Sequence, residues 1–275
     1  MLFADQGLSR RLESAEGQSG AAFVEARARL QPQVAATWRR MAGAYVLFDG
    51  VGSPITQSFG IGVHQPPTAD DLAEIEAFYA ERGAAVFHEI SPIIDDGTLA
   101  LLNTRGYHPC ELTSVMFRAV TRDVRLTGDG REGSDVRVHA VSPDEAPIWV
   151  TTATRGWSEF TEFAPMMEAL SRVSVATAGS TSFLAELDGR PVAAGALSVR
   201  EGVGLLAGAS TIPEARRRGA QNALLEARLR HAAEVGCDLA MMCARPGSAS
   251  QRNAERNGFR IAYTRIKWTL EHPVR

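Results

Sequence analysis

The stretch Ala209-Ser-Thr-Ile-Pro-Glu-Ala-Arg-Arg-Arg-Gly-Ala-Gln-Asn-Ala-Leu-Leu225 constrains the fold more than any other part of the chain. Gly202 to Ala209 is small and apolar, as a buried strand would be. Pro213 removes a backbone donor and halts a sheet ladder there. Arg216, Arg217 and Arg218 follow, then Gly219 where a helix would begin. Beyond Asn222, residues Leu225, Leu229 and Ala232 recur at helical spacing. A strand, a basic glycine-bearing turn and a helix start together form an anion site, because free N–H groups and the positive end of the helix dipole converge there. A phosphate group fits it. The competing reading of Arg-Arg-Arg-Gly is a solvated surface turn, since short motifs often match by accident. The rest of the chain decides between them.

The 275 residues are 45% apolar and carry a formal charge of -3, so the basic cluster is a local feature. No nucleic-acid partner is expected from that balance. No apolar run approaches the ~20 residues of a membrane span, and the start of the chain lacks a secretory pattern, so the expectation is a cytoplasmic protein with no membrane partner. Cys110, Cys237 and Cys243 give no disulfide framework, and the six histidines show no zinc spacing, so no metal is expected.

The first half reads as a helix over Leu8–Leu30, a strand over Gly43–Asp49, and a returning strand over Ile55–Val63. Thr68 caps a helix over Ala69–Arg82, and Gly83 ends it. A strand at Ala84–Ile90, a short helix closed by Gly106, and a strand region over Tyr107–Arg118 follow, with a break expected at Pro109. His88 has no clustered partner in sequence and reads as a structural residue. Residues 121–135 are polar, glycine-bearing and aperiodic, which is a linker signal. The division expected is therefore 1–120, a linker at 121–135, and 136–275.

The second half reads as a strand, two helices, a hairpin turning at Asp188-Gly189, the strand entering the basic loop, and the helix after it. A buried strand over Cys237–Ala244, a short helix capped by Ser248 or Ser250, Asn257-Gly258-Phe259 and the last strands complete it. This order resembles the GNAT superfamily of acyl-CoA-dependent N-acyltransferases, over about Asp135 to Glu271. Arg216-Arg-Arg-Gly219-Ala-Gln221 is similar to the family's Arg/Gln-x-x-Gly-x-Gly/Ala pyrophosphate motif, with Gln221 departing at the last position. The first half resembles the same fold more faintly. Where the basic loop should fall it has the acidic His64-Gln-Pro-Pro-Thr-Ala-Asp-Asp71. The resemblance implies a tandem α/β arrangement of two mixed, mostly antiparallel sheets flanked by helices, with an N-terminal copy that has lost cofactor binding.

The resemblance further implies acetyl-CoA as cosubstrate and a small-molecule amine as acceptor, in a monomer or homodimer. Backbone N–H groups of Ala209, Ser210 and Thr211 would polarise the thioester carbonyl. Amides and side chains from Arg216, Arg217, Arg218, Gly219, Ala220, Gln221 and Asn222 would hold the diphosphate, with Ser250 and Asn253 nearby. The family's tyrosine proton donor falls at Ala254, so the general acid is left to Tyr263, Ser250, Asn253 or water. Tyr263 reads equally as a core strand residue. Glu159 and Glu162 either attract or deprotonate a cationic amine, or form a solvated loop face. Trp157, Phe160 and Phe163 either line the acceptor pocket or pack on the core. Cys243 reads as a small core residue. Two alternatives stand beside the N-acetyltransferase: a catalytically silent CoA-binding sensor or scaffold, and an acyltransferase using another acyl-CoA or a hydroxyl acceptor.

Overall fold

The computed structural model describes residues 3–121, 135–159 and 161–270. The expected linker therefore lies, from 122 to 134, outside the described residues, as does Phe160. In chain order the elements are α1 (Gln6–Leu30), β1 (Thr37–Met41), β2 (Ala44–Phe48), β3 (Ser58–Phe59), α2 (Ala69–Ala80), β4 (Val86–Ile90), α3 (Asp96–Thr104) and β5 (His108–Ala119). Then come β6 (Val136–Ala140), α4 (Ala146–Arg155), α5 (Ala164–Val175), β7 (Ser180–Leu187), β8 (Arg190–Arg200) and β9 (Val203–Thr211). The chain ends with α6 (Ala220–Glu234), β10 (Leu239–Ala244), α7 (Ala249–Arg256) and β11 (Arg260–Leu270).

The chain forms two compact units. The first comprises 1–116, 243–251 and 261–275; the second comprises 117–242 and 252–260. The sequence reading assigns everything after 136 to one domain, whereas β11 lies in the first unit and pairs antiparallel with β4.

In the first unit the strand order is β1-β2-β3-β4-β11-β5. β3 and β4 run parallel, while β1/β2, β2/β3 and β4/β11 are antiparallel. One of its cores gathers Val46, Ile61, Leu72, Ile75, Tyr79 and Trp268. α1 starts at Asp5, whose Oδ1 accepts from Leu8 N at 2.8 Å. It carries glycines at 17 and 20 although glycine disfavours helix by ~1 kcal/mol. The reason is close approach: a Cβ at Gly17 would lie 2.4 Å from Tyr45 Cδ2, and one at Gly20 2.5 Å from Leu47 Cδ1. The returning strand expected over Ile55–Val63 shrinks to β3, because Gly60 and Gly62 turn the backbone to positive φ. Pro109 lies inside β5 without breaking it.

In the second unit the order is β10-β9-β8-β7-β6. The pairs β6/β7, β7/β8 and β8/β9 are antiparallel, and β9/β10 is parallel. Asp188 and Gly189 both take positive φ, as a tight hairpin turn requires. Trp149 of α4 is buried against Leu184, Ala194 and Ala196, and α6 packs on β8 and β9.

Candidate functional site

Two irregularities in β9 open the sheet. Its parallel ladder with β10 covers only Val203, Gly204 and Leu205, while β9 continues to Thr211. Its register with β8 shifts between Ala194 and Ala196: Ala194 faces Ser210 but Ala196 faces Ala207. Gly208 and Ala209 thus stand against the single residue Gly195, a bulge that re-aims the backbone. Gly208 takes φ +61, and Ala207, Gly208 and Ala209 are exposed within an otherwise buried strand. Backbone N–H groups fixed in such a geometry are the kind of donor that stabilises a carbonyl oxygen gaining charge.

At the end of β9 a short turn, Pro213–Ala215, leads into the basic loop. Arg217 is left-handed at φ +63 and Gly219, the N-cap of α6, at φ +87. No side chain caps this helix. Its first internal bond within reach is Ala223 N to Gly219 O, so the amides of Ala220, Gln221 and Asn222 have no partner inside the helix. Arg217, Arg218 and Gly219 are exposed around them. The donor set suits a diphosphate: open amides, a helix dipole and cationic side chains.

The neighbouring side chains have defined roles. Gln221 turns back and donates from Nε2 to Thr211 Oγ1 at 2.6 Å. Ser210 Oγ donates to Ala153 O at 3.0 Å, tying β9 to the end of α4. Arg216 is folded over the 156–159 loop: Nη1 donates to Glu159 Oε2 at 2.5 Å, Nη2 to Gly156 O at 3.3 Å, and Nε to Thr211 O at 3.3 Å. Glu159 is about half exposed, and its carboxylate pairs with this arginine. Arg218 Nη2 lies 3.9 Å from Asp188 Oδ2. Asn222 Oδ1 accepts from Asn257 Nδ2 at 3.3 Å, and Asn253 supplies its backbone oxygen to the same amide at 2.8 Å. Ala254 is buried, Ser250 is exposed on α7, and Trp157, Glu162 and Phe163 lie exposed. The partners of Arg216 in the 156–159 loop, and the bulge opposite Gly195, had no short-range sequence signal.

Tyr263 belongs to a buried ionic cluster of the first unit. Its hydroxyl donates to Glu13 Oε1 at 2.7 Å, and Arg265 donates to Glu13 at 3.0 Å and to Glu16 at 2.6 Å. Burial and the Glu13 carboxyl push the Tyr263 phenol well above its ordinary range. Burial likewise raises Glu13 to about 7, against the attraction of Arg265. Cys243 Sγ donates to Glu16 Oε2 at 3.3 Å, and burial raises that thiol too. His88 is fully buried between Ser58 Oγ at 2.7 Å and the Tyr107 hydroxyl at 3.0 Å. Burial lowers its pKa to about 4.

The first unit contains the same strand–helix–strand crossover as the second, β3-α2-β4, but its helix start is closed. Thr68 Oγ1 accepts from Asp71 N at 3.1 Å, and Asp71 Oδ2 accepts from Thr68 N at 2.8 Å. The Thr68 N–H and hydroxyl, both donating to it, hold the Asp71 carboxyl below the usual range. The Thr68 and Asp71 amides at this helix start are thus already taken by side chains of the helix itself.

Residues 147–259 match the model of the acetyltransferase (GNAT) family. Members of that family are acyltransferases that generally use acetyl-CoA. The fold is also that of a GCN5-related N-acetyltransferase from Kribbella flavida, with TM-score 0.65 and 18% identity over 92% of this chain and 96% of that one. A tandem GNAT protein from the clavulanic acid biosynthesis pathway aligns with TM-score 0.58 and 14% identity, over 84% of this chain and 79% of that one. A GCN5-related N-acetyltransferase from Sphaerobacter thermophilus gives TM-score 0.54 and 15% identity, over 78% and 71%. A search of curated proteins gives no match. Among the described residues no helix is long and apolar enough to cross a membrane, and no group of three or more His, Cys, Asp or Glu side chains could hold a metal ion.

Proposed function

We propose that the chain is an N-acetyltransferase that moves the acetyl group of acetyl-CoA to the amine of a small molecule. The observation that carries this reading is the uncapped start of α6 beside the opened strand β9. The amides of Ala220, Gln221 and Asn222, with Arg217 and Arg218, hold the diphosphate. The exposed backbone of Ala207–Ala209 polarises the thioester carbonyl. The neutral amine nitrogen attacks that carbonyl carbon; the C–N bond forms, the C–S bond breaks, the amine loses a proton and the thiolate gains one. Buried Ala254 offers no hydroxyl to the leaving thiolate, so water serves as the proton donor in this reading. The self-capped α2 of the first unit supports a single cofactor site per chain, with residues 1–120 acting as a copy without the cofactor motif.

Two measurements test this. Acetyl-CoA should bind in a calorimeter, and thiol should be released with some member of an amine panel. Arg217→Ala combined with Arg218→Ala should weaken acetyl-CoA about 10- to 100-fold, through loss of two charge-assisted contacts. Unchanged affinity would place the diphosphate elsewhere. Ala254 favours one second reading, a CoA-binding sensor: binding without thiol release from any amine would select it.

A further inference from the structure

Arg228 lies in the middle of α6 and is buried, 3% exposed. Its Nε donates to Leu224 O at 3.1 Å, one turn back in the helix, and its Nη1 donates across to Ala196 O at 3.2 Å. Both partners are carbonyls. Burial alone lowers its pKa, to about 10, with no carboxylate acting on it. An interior guanidinium without a counter-charge is costly, and a leucine or methionine would fill the same space more cheaply.

The position of this charge suggests its use. Ala196 is the first β8 residue paired beyond the β9 bulge and faces Ala207 of β9. Gly195, the residue opposite the bulge, gives the guanidinium room: a Cβ there would lie 3.2 Å from Arg228 Cζ and from its Nη1. The Gly195 carbonyl accepts from Trp149 Nε1 at 3.3 Å, a donor shared with Phe183 O at 3.1 Å. Two consecutive carbonyls of β8 opposite the bulge are therefore held by side chains, one from α4 and one from α6. Ordinary ladder pairing would absorb the extra residue of β9 and turn the exposed Ala207–Ala209 backbone away from its present direction.

We infer that Arg228 is a positioning residue for acyl transfer: it pins the β8 backbone opposite the bulge that aims the Ala207–Ala209 amides, and its charge lies against that neighbouring strand. This rests on the acyl-CoA reading above. It also couples the two halves of the site, because α6 carries the diphosphate amides at one end and this guanidinium about two turns further along.

The test uses acetyl-CoA labelled with 13C at the carbonyl and bound to the full-length protein, so no acceptor is needed. Infrared difference spectra read the carbonyl stretch, which moves to lower frequency as the bond is polarised. Calorimetry reads affinity separately. Arg228→Met should lose more than half of the wild-type shift with Kd within about threefold, and Arg228→Lys should recover most of it. Gly195→Ala keeps the charge but crowds the guanidinium, so it should show a partial loss even if Arg228→Met does not fold. A wild-type shift in Gly195→Ala or in Arg228→Met would overturn the inference while leaving the cofactor site standing. Failure of the wild-type protein to bind acetyl-CoA would remove both, and the calorimeter reports that independently of the spectrum.

Discussion

Gly156→Ala is the sharpest test of how β9 meets α4. Gly156 closes α4 with φ -61 and ψ -17, an ordinary right-handed conformation. By backbone reasoning alone, alanine there should stabilise the protein by ~0.4–1 kcal/mol, because it restricts the unfolded chain. The packing reverses the sign. A Cβ at 156 would lie 2.4 Å from both Cβ and Oγ of Ser210, and 3.2 Å from Ala153 O. Ser210 Cβ is fixed to the backbone, so the strand or the helix end must give way by about 1 Å to reach ordinary contact. Overpacking of this kind costs ~1–3 kcal/mol. The buried Ser210 Oγ bond to Ala153 O, which sits in the same contact, contributes ~1 kcal/mol more if it breaks. The expected net loss is ~2 kcal/mol. At an m-value of ~2.5 kcal/mol per molar urea the midpoint falls by about 0.8 M. Ser210→Gly removes the obstructing atoms, so the Gly156→Ala penalty should vanish in that background, and the double-mutant cycle should show ~2 kcal/mol of coupling. A Gly156→Ala protein as stable as the wild type, or an equal penalty in both backgrounds, refutes the packing account.

Arg27 and Asp49 form a buried pair in the first unit, Nε to Oδ1 at 2.9 Å, with side chains 7% and 0% exposed. Arg27→Met should destabilise by ~3–5 kcal/mol in chemical denaturation, by leaving the Asp49 carboxylate uncompensated, and the added change Asp49→Asn should restore part of it. Arg217→Gly should raise the melting temperature modestly, by relief of up to ~1 kcal/mol at φ +63, while weakening acetyl-CoA binding; loss of stability would show that the left-handed turn is not strained. Glu13, raised to about 7, contributes stability fully below pH 4.5, and that contribution is lost as pH rises through 7. Urea melts of wild type against Glu13→Gln should therefore diverge between pH 4.5 and 7, by up to ~3 kcal/mol against the wild type, and run parallel above 7.

Local chemistry was legible and tertiary pairing was not. Thr68 with Asp71, and Asp188 with Gly189, act through bonds or dihedrals within a few residues, so their composition announces them. The basic turn and its helix were legible for the same reason: Gly219 and the periodic leucines of α6 are contiguous. β1, Thr-Trp-Arg-Arg-Met, carries no strand pattern of its own and forms at a sheet edge by pairing with β2. Tyr263 could not be placed from sequence, because its partner Glu13 lies 250 residues away on α1. Arg228 was invisible for the opposite reason. An arginine on a helix reads as solvent-facing until the strand beneath it is known to bulge.

The placement of β11 has a consequence for synthesis. Domains made on the ribosome generally fold in the order in which they emerge. Here the first unit takes a strand from the far end of the described chain, and that strand lies between β4 and β5 in its sheet order. During translation β4 offers an unpaired edge until residues 261–270 appear. The contiguous stretch from 135 to 242 has most of its unit to hand much earlier. The unit translated first is thus completed last, and its open edge is the surface that a chaperone or an aggregating neighbour would meet.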